Sequence, residues 1–200
     1  MDPDDLLRVI RRLANGSSPA GAGWTGELIK ALVDDHDCFH GIMCLVADIL
    51  NGVFEGQTRD LLLTGILVAA RKSSGAPRPI VMGEAFYKLA GLYALHQVRS
   101  DLASVVAPIQ MAFTRGASEG ALQLLQAALD AADNQVVVSV DIENAYNTRK
   151  RSQILEELFS YNELRGLWRL AHWSYGSPTP LLLMEDGRHL NDVGGSVKVM

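Results

Sequence analysis

Cysteines and long apolar runs are both scarce in this sequence, and each scarcity excludes a class of protein. The two cysteines among 200 residues, Cys38 and Cys44, are too few for a disulfide framework. The longest apolar stretch, residues 61–70, is about half of the roughly 20 residues that a membrane-spanning helix needs. The first residues also lack the basic segment, apolar run and cleavage site of a secretory leader. We therefore expect an intracellular protein without a membrane segment.

Two motifs of common function classes are absent as well. The sequence contains no Gly-x-x-x-x-Gly-Lys phosphate loop and no Cys-x-x-Cys pair. These absences exclude a P-loop nucleotide hydrolase and a paired-cysteine zinc module.

Apolar residues, in contrast, make up 48% of the chain, enough for a sizeable core in one domain or one and a half. The net charge of −5 weakly disfavours a nucleic-acid partner, which usually shows as a basic surface. The middle of the chain is more basic, because residues 61–151 hold nine Lys or Arg against seven Asp or Glu. This local bias of +2 (9 − 7) is small and decides nothing by itself.

Helical periodicity covers much of the chain. Apolar residues recur at helical spacing in residues 4–13, from residue 25, in 38–53, 83–105 and 119–132, and from residue 146 onward. Gly52 and Gly56 mark the end of the helix at 38–53, and Ser118 is the predicted N-cap of the helix at 119–132.

Three segments rich in aliphatic and β-branched residues predict strands. LLLTGILVAARK, followed by SSGAPRP, predicts a strand, a turn and a second strand that starts near Arg78. LLLMEDGRHLN at 181–191 predicts a hairpin whose turn is at 185–187. VVVSVDI at 136–142 hardly alternates, which predicts a strand buried on both faces.

Asp141 lies at the end of this last predicted strand. A carboxylate at the rim of a sheet is accessible to solvent and metal while the strand holds its position. Such a carboxylate suits Mg²⁺, which prefers oxygen ligands and keeps water or phosphate in its remaining positions. Taken alone, however, Asp141 is more typical of a carboxylate that caps a turn.

Five segments, in order along the chain, resemble the reverse transcriptase domain of non-LTR retrotransposons, particularly the site-specific elements. They are SPAGAGWTGELIKAL (18–32), LVAARKSSGAPRPI (67–80), FYKLAGLYALHQV (86–98), QMAFTRGASEGALQLLQAAL (110–129) and VVVSVDIENAYNTRKRSQILEEL (136–158). The first three resemble the glycine-rich start of the family's first fingers helix, its fingers hairpin and the lysine-bearing helix that follows. The last two resemble its Gln-x-x-Phe-x-x-Gly stretch and its first palm motif.

The resemblance implies a role for eight residues. Asp141 would be the first carboxylate of a two-metal Mg²⁺ site, with the carbonyl oxygen of Ile142 as a second ligand. Tyr146 would be the steric gate that favours deoxynucleotides. Lys72 and Arg78 would bind the incoming triphosphate, and the remaining three would line the template or nucleotide pocket: Gln110, Phe113 and Arg115.

The implied fold is α+β, a right-hand polymerase's fingers and incomplete palm, helix-rich with a small antiparallel sheet. The implied organisation is an N-terminal helix and linker (1–17), a fingers-like region (18–135) and a partial palm-like region (136–200). The family's next palm motif contains Gln-Gly-Asp, where this sequence reads DVGGSVKVM, and no Tyr-x-Asp-Asp hairpin follows. We therefore expect an incomplete copy, truncated or diverged before the second catalytic carboxylates and without a thumb.

Three other groups of residues invite functional hypotheses. His36, His40 and Cys44 share a helix face and could be metal ligands, although ordinary packing is the favoured interpretation. TRKR at 148–151 is either a phosphate contact or a solvated helix start, with neither favoured. The third group offers flat rings for base stacking, but core packing is favoured for it: Trp168, Trp173 and Tyr175.

Two functional hypotheses remain. The first is an RNA-directed DNA polymerase of the nucleus or cytoplasm that uses an RNA template, a DNA primer and deoxynucleotide triphosphates. The second is a non-catalytic retroelement remnant or weak nucleic-acid-binding fragment, which is the expected behaviour of this chain alone because the second carboxylates are missing.

Overall fold

The computed structural model describes residues 1–71, 77–107, 109–111, 115–131, 134–142, 145–185 and 188–189. Within these residues the chain is helix-rich and contains one small sheet, so the predicted α+β class is confirmed. The helices are α1 (Pro3–Arg11), α2 (Gly26–Leu32), α3 (His36–Asn51), α4 (Gly56–Leu63), α5 (Ala85–Gln97), α6 (Arg99–Val106), α7 (Ala117–Asp130), α8 (Ala145–Thr148), α9 (Arg151–Ser160), the 3-10 helix η1 (Asn162–Leu167) and α10 (Trp168–Tyr175). The strands are β1 (Gly65–Arg71), β2 (Pro77–Gly83), β3 (Leu181–Glu185) and β4 (Arg188–His189).

Side-chain caps start the first three helices. The carboxylates of Asp2 and Asp35 and the hydroxyl of Thr25 each accept a hydrogen bond from the backbone N–H three residues later. Each bond satisfies one of the backbone donors that a helix N-terminus leaves free. α3 ends at Gly52, whose φ of 65° is left-handed, as the sequence predicted.

The predicted N-cap of α7 is wrong. Gly116, not Ser118, occupies the cap position, and its φ of 71° is left-handed. Glycine adopts this conformation without a Cβ penalty, so the helix begins two residues earlier than the serine pattern indicated.

The sheet has the strand order β2-β1-β3-β4. β1 and β2 are antiparallel, with Gly65 opposite Gly83, and β3 and β4 are also antiparallel. β1 and β3, however, are parallel, with Gly65 opposite Leu181. The sheet is therefore mixed, and the expectation of a purely antiparallel sheet is wrong. The long, mostly helical connection between β2 and β3 lets β3 enter the sheet in the same direction as β1.

Residues 61–63 also depart from the sequence prediction. They form the last turn of α4, where Leu63 is buried, and β1 begins only at Gly65. A short leucine run is compatible with helix or strand, because periodicity cannot separate the two over so few residues. The two strands predicted for this segment are confirmed as the antiparallel pair β1 and β2, and the predicted turn between them lies outside the described residues.

The hydrophobic core lies between the N-terminal helices, α5 and α10. The largest described side chains that are fully excluded from solvent are Leu6, Ile10, Ile29, Val46, Ile49 and Leu89. They come from α1, α2, α3 and α5, so the helical half of the molecule supplies most of the apolar burial.

Trp173 on α10 connects the C-terminal helices to this core. Its indole N–H donates a hydrogen bond to the carbonyl oxygen of Phe54 at 2.7 Å. The guanidinium of Arg59 donates to the carbonyl oxygen of Trp173 through two nitrogens, at 3.0 and 2.9 Å. These contacts hold α10 against the turn between α3 and α4, five residues before β3 starts.

No single helix in the described ranges is long and apolar enough to cross a bilayer. α3 and α4 satisfy the length and composition criterion only as a pair, and the chain bends by 101° between them. Ile42, Val46 and Ile49 of α3 are buried in the core of the protein.

Substitution of two glycines at α3 tests this packing. Gly52→Ala is expected to lower the free energy of unfolding by about 2–4 kcal/mol, because it combines a left-handed residue with overpacking. The added Cβ would lie 2.9 Å from the Cβ of Trp173. Denaturant unfolding followed by circular dichroism measures the change.

Gly41→Ala on the same helix is the matched control. An added Cβ at Gly41 has no neighbour within 4 Å, so this variant is expected to be stabilised by up to about 1 kcal/mol. Equal effects of the two substitutions would contradict the packing of α10 on Gly52.

Candidate functional site

The β1–β2 hairpin carries the two cations that the resemblance assigns to the triphosphate. Arg71 is paired with Pro77 and Ala70 with Arg78, so Arg78 lies one position from the end of the ladder. Lys72 falls in the gap at 72–76, and only the backbone of Arg78 is described. The hairpin is confirmed, and the phosphate-binding role of Lys72 and Arg78 stays a prediction.

Glu84 connects a glycine-rich loop to the base of this hairpin through a hydrogen bond. It follows β2 directly and is 6% exposed. One of its carboxylate oxygens accepts the backbone N–H of Ala22 at 3.0 Å, which ties the loop at 18–24 to the end of β2. The sequence analysis did not select Glu84, although an acid directly after an apolar strand was the signal that selected Asp141.

The segment that contains Asp141 is not a strand. Residues 134–142 have no regular secondary structure, and none of the described strands pairs with them. Their large apolar side chains are exposed: Val136, Val137, Val138, Val140 and Ile142. The prediction of a strand buried on both faces is therefore wrong, because the described sheet supplies neither a hydrogen-bonding neighbour nor a covering layer for this run.

Asp141 and Ile142 are consequently both exposed to solvent, with Ile142 at 60%. Among the described residues, no three His, Cys, Asp or Glu side chains lie close enough to hold a metal ion together. A two-metal site needs several acids around ions a few Å apart, and the described residues show Asp141 only as an exposed carboxylate outside any such group. Magnesium binding by Asp141 and Ile142 stays a prediction of the resemblance.

The other predicted substrate residues are placed to different degrees. Tyr146 lies in α8, but its side chain is not described, and Phe113 falls in the gap at 112–114. Arg115 is exposed directly before Gly116. The backbone N–H of Gln110 donates to the carbonyl oxygen of Val106, the last residue of α6, at 2.9 Å.

An open cavity of about 1000 Å³ between α6 and α9 brings Gln110 close to the basic cluster. Gln110 and Arg149 both line this cavity, whereas Asp141 does not. The structure thus groups one predicted pocket residue with one basic residue, and it does not add the predicted metal ligand to them.

The basic cluster at 149–151 divides into two parts. Arg149 and Lys150 are exposed. Arg151 is half-buried, donates to the carbonyl oxygen of Ser177 at 3.2 Å, and lies 5.5 Å above the ring of Tyr175. Arg151 therefore has a structural role, and Arg149 and Lys150 remain accessible to a phosphate.

The aromatic residues near the C-terminal helices serve packing, as the sequence analysis favoured. Trp173 is 9% exposed, and the ring of Trp168 meets those of Phe159 and His172 edge to face. Tyr175 is more exposed but is covered on one side by Arg151.

The histidine and cysteine residues of α3 also show no metal site. Nε2 of His40 lies 3.7 Å from Sγ of Cys44, whereas Nδ1 of His36 contacts the carboxylate of Asp37 at 3.2 Å. His36 therefore faces an acid of its own turn instead of completing a ligand set with the other two.

Local structure shifts the pKa values of two groups outside the predicted site, Tyr87 and Glu27. Burial raises the pKa of the Tyr87 hydroxyl on α5, beside Trp173. A hydrogen bond from the backbone N–H of Gly16 lowers the pKa of Glu27. Both shifts follow from local packing or hydrogen bonding, and neither group belongs to the predicted polymerase site.

Comparison with known proteins gives one informative similarity. No protein-family model matches the sequence. Over 189 residues, 94% of this chain, the sequence is 29% identical to the retrotransposable element SLACS 132 kDa protein of Trypanosoma brucei gambiense. The chain spans 16% of the length of that protein. The similarity links this chain to a retrotransposon protein.

Hydrogen exchange tests the placement of residues 134–142. Amide protons of Val136 to Val140 are expected to exchange much faster than those of β1, because only the latter are held in a ladder of described strands. Mass spectrometry of peptides that cover 134–142 and 65–71 compares the two segments within one sample. Equal protection would restore the predicted strand and contradict the irregular segment.

Proposed function

We propose that this chain is a reverse-transcriptase-like domain of a retroelement protein, composed of fingers and part of a palm. The intact domain would carry out template-directed DNA synthesis by two-metal nucleotidyl transfer. The observation that carries the proposal is the similarity to a retrotransposon protein over 94% of the chain. The five ordered segments at 18–158 supply the narrower assignment, since they resemble one domain of such proteins.

The geometry of the β1–β2 hairpin supports a fingers-like role. The ladder ends at the pair Arg71 and Pro77, so Arg78 lies one position from that end of the hairpin. Glu84 holds the opposite end against the loop at 18–24. A hairpin that is fastened at its base can present cations at its tip, where Arg78 would contact phosphate through two N–H groups and Lys72 as a point charge.

For the chain by itself, we propose binding to nucleic acid without catalysis. The supporting observation is that Asp141 is exposed in an irregular segment and that no group of three metal-binding side chains is found in the described ranges. Arg149 and Lys150 remain available for a phosphate backbone, since Arg151 alone is engaged with Ser177. The partners implied by the resemblance are an RNA template, a DNA primer and deoxynucleotide triphosphates.

Primer extension separates the catalytic from the non-catalytic form of this proposal. The purified chain is offered a primed RNA template, Mg²⁺ and deoxynucleotides, and we expect no extension product. Extension that Asp141→Ala abolishes would show that the chain is an active polymerase and would refute the non-catalytic form.

Salt-dependent binding tests the basic cluster. The double variant Arg149→Gln and Lys150→Gln is expected to bind a labelled primed RNA template more weakly, and the slope of log K against log salt should fall by about 1–2. Fluorescence anisotropy at several salt concentrations measures both quantities.

The control variant carries Arg11→Gln and Arg165→Gln, which remove the same charge from α1 and η1. Its salt slope should remain that of the unmodified chain. Equal slopes for all three proteins would contradict a phosphate contact at Arg149 and Lys150.

A further inference from the structure

α7 presents an apolar face that no described element covers. It has 14 residues, and none of them is buried. Leu122, Leu125 and Leu129 recur at spacings of three and four and therefore share one face. Leu122 is 66% exposed and Leu125 is 41% exposed. Exposed leucines on a helix face are typical of a surface that binds another protein segment.

The charge on α7 is entirely acidic. Its two ionisable side chains, Glu119 and Asp130, are both negative, and the helix contains no Lys, Arg or His. At about 100° per residue, both carboxylates lie on the same side of the leucine face. α7 is thus an apolar surface with one acidic border.

A groove between α1, α5 and α6 has the complementary character. Its volume is about 320 Å³, and its apolar lining includes Leu92 and Leu95, which are 46% and 47% exposed. Arg12, His96 and Arg99 complete the polar part of the lining, which contains no acid. Of the three basic side chains in this lining, His96 contacts Asp5 at 3.4 Å. The other two, Arg12 and Arg99, form no ion pair with an acid among the described residues.

We propose that two copies of this chain form a dimer in which α7 of each copy binds the groove of the other. The leucine face of α7 would cover Leu92 and Leu95, and its acidic border would meet Arg12 and Arg99. The larger cavity between α6 and α9 is a poorer partner for α7, because its lining has two acids, Glu156 and Glu157, against one base, Arg149.

The area needed for a stable interface favours reciprocal binding. Stable protein interfaces bury about 1,200–2,000 Å² in total. Two equivalent contacts related by a two-fold axis double the buried area, and both copies then satisfy their exposed leucines.

Charge reversal at one groove residue and one helix residue tests the pairing. Arg99→Glu and Asp130→Arg are each expected to raise the dimer dissociation constant by about tenfold or more, because each places like charges together at two contacts. The combination of both substitutions should restore dimerisation. Analytical ultracentrifugation of the full 200-residue chain over a concentration series measures the dissociation constants.

Both charge reversals are compatible with the helix dipoles of α6 and α7. Arg99 is the first residue of α6 and Asp130 is the last of α7, and an acid at a helix start or a base at a helix end is favourable. Circular dichroism is expected to show unchanged folding. Arg11→Glu, which changes the charge of α1 equally without lining the groove, is expected to leave the dissociation constant unchanged.

Three outcomes would overturn the proposal. The first is a monomer at every concentration. The second is a change in compaction that does not depend on concentration, which would show that α7 binds within its own chain. The third is a double variant whose dimerisation is not restored. Each outcome concerns self-association alone and leaves the proposed retroelement function untouched.

Discussion

The docking of Trp173 determines how the second half of the chain meets the first. Its indole lies against Gly52, donates a hydrogen bond to Phe54, and has its own carbonyl oxygen held by Arg59. An indole N–H buried without an acceptor would cost free energy, so the ring and its partner must be placed together. Gly52 leaves room for that ring, since a Cβ there would overlap it.

Several features of the sheet and the hairpin follow from this docking. α10 leads into β3, and β3 joins β1 in parallel, so a strand from the predicted palm-like region completes the sheet of the predicted fingers-like region. The same strand β1 forms the hairpin with β2, and Glu84 then attaches the glycine-rich loop to the end of β2. The hairpin that carries Arg78 is thus held by β3 along β1 and by the contact of Glu84 at the end of β2.

Sequence patterns correctly predicted the helices and strands that are determined by residues close together in the sequence. Helical spacing placed α1 to α3, Gly52 ended α3, and the run before SSGAPRP became a hairpin strand. The wrong predictions for residues 136–142 and 61–63 have a shared cause, which is that both depend on neighbours in space. Val136 to Val140 have strong β propensity, but a strand needs a neighbour, and none of the described strands lies beside them. Residues 61–63 were equally ambiguous until the position of Leu63 in the core selected the helix.

The sequence by itself determined the helix-rich α+β class, the hairpin of β1 and β2, and the resemblance to a retroelement domain. Periodicity, turn residues and the order of motifs are properties of the sequence and do not depend on which segments meet in space. Only the tertiary structure decided that β3 is parallel to β1, that Glu84 is buried as a loop anchor, and that Asp141 is exposed. Each of these depends on which segments become neighbours in space. An acid that follows an apolar run is a buried anchor or an exposed carboxylate according to what packs beside it, and the spacing of residues along the chain does not contain that information.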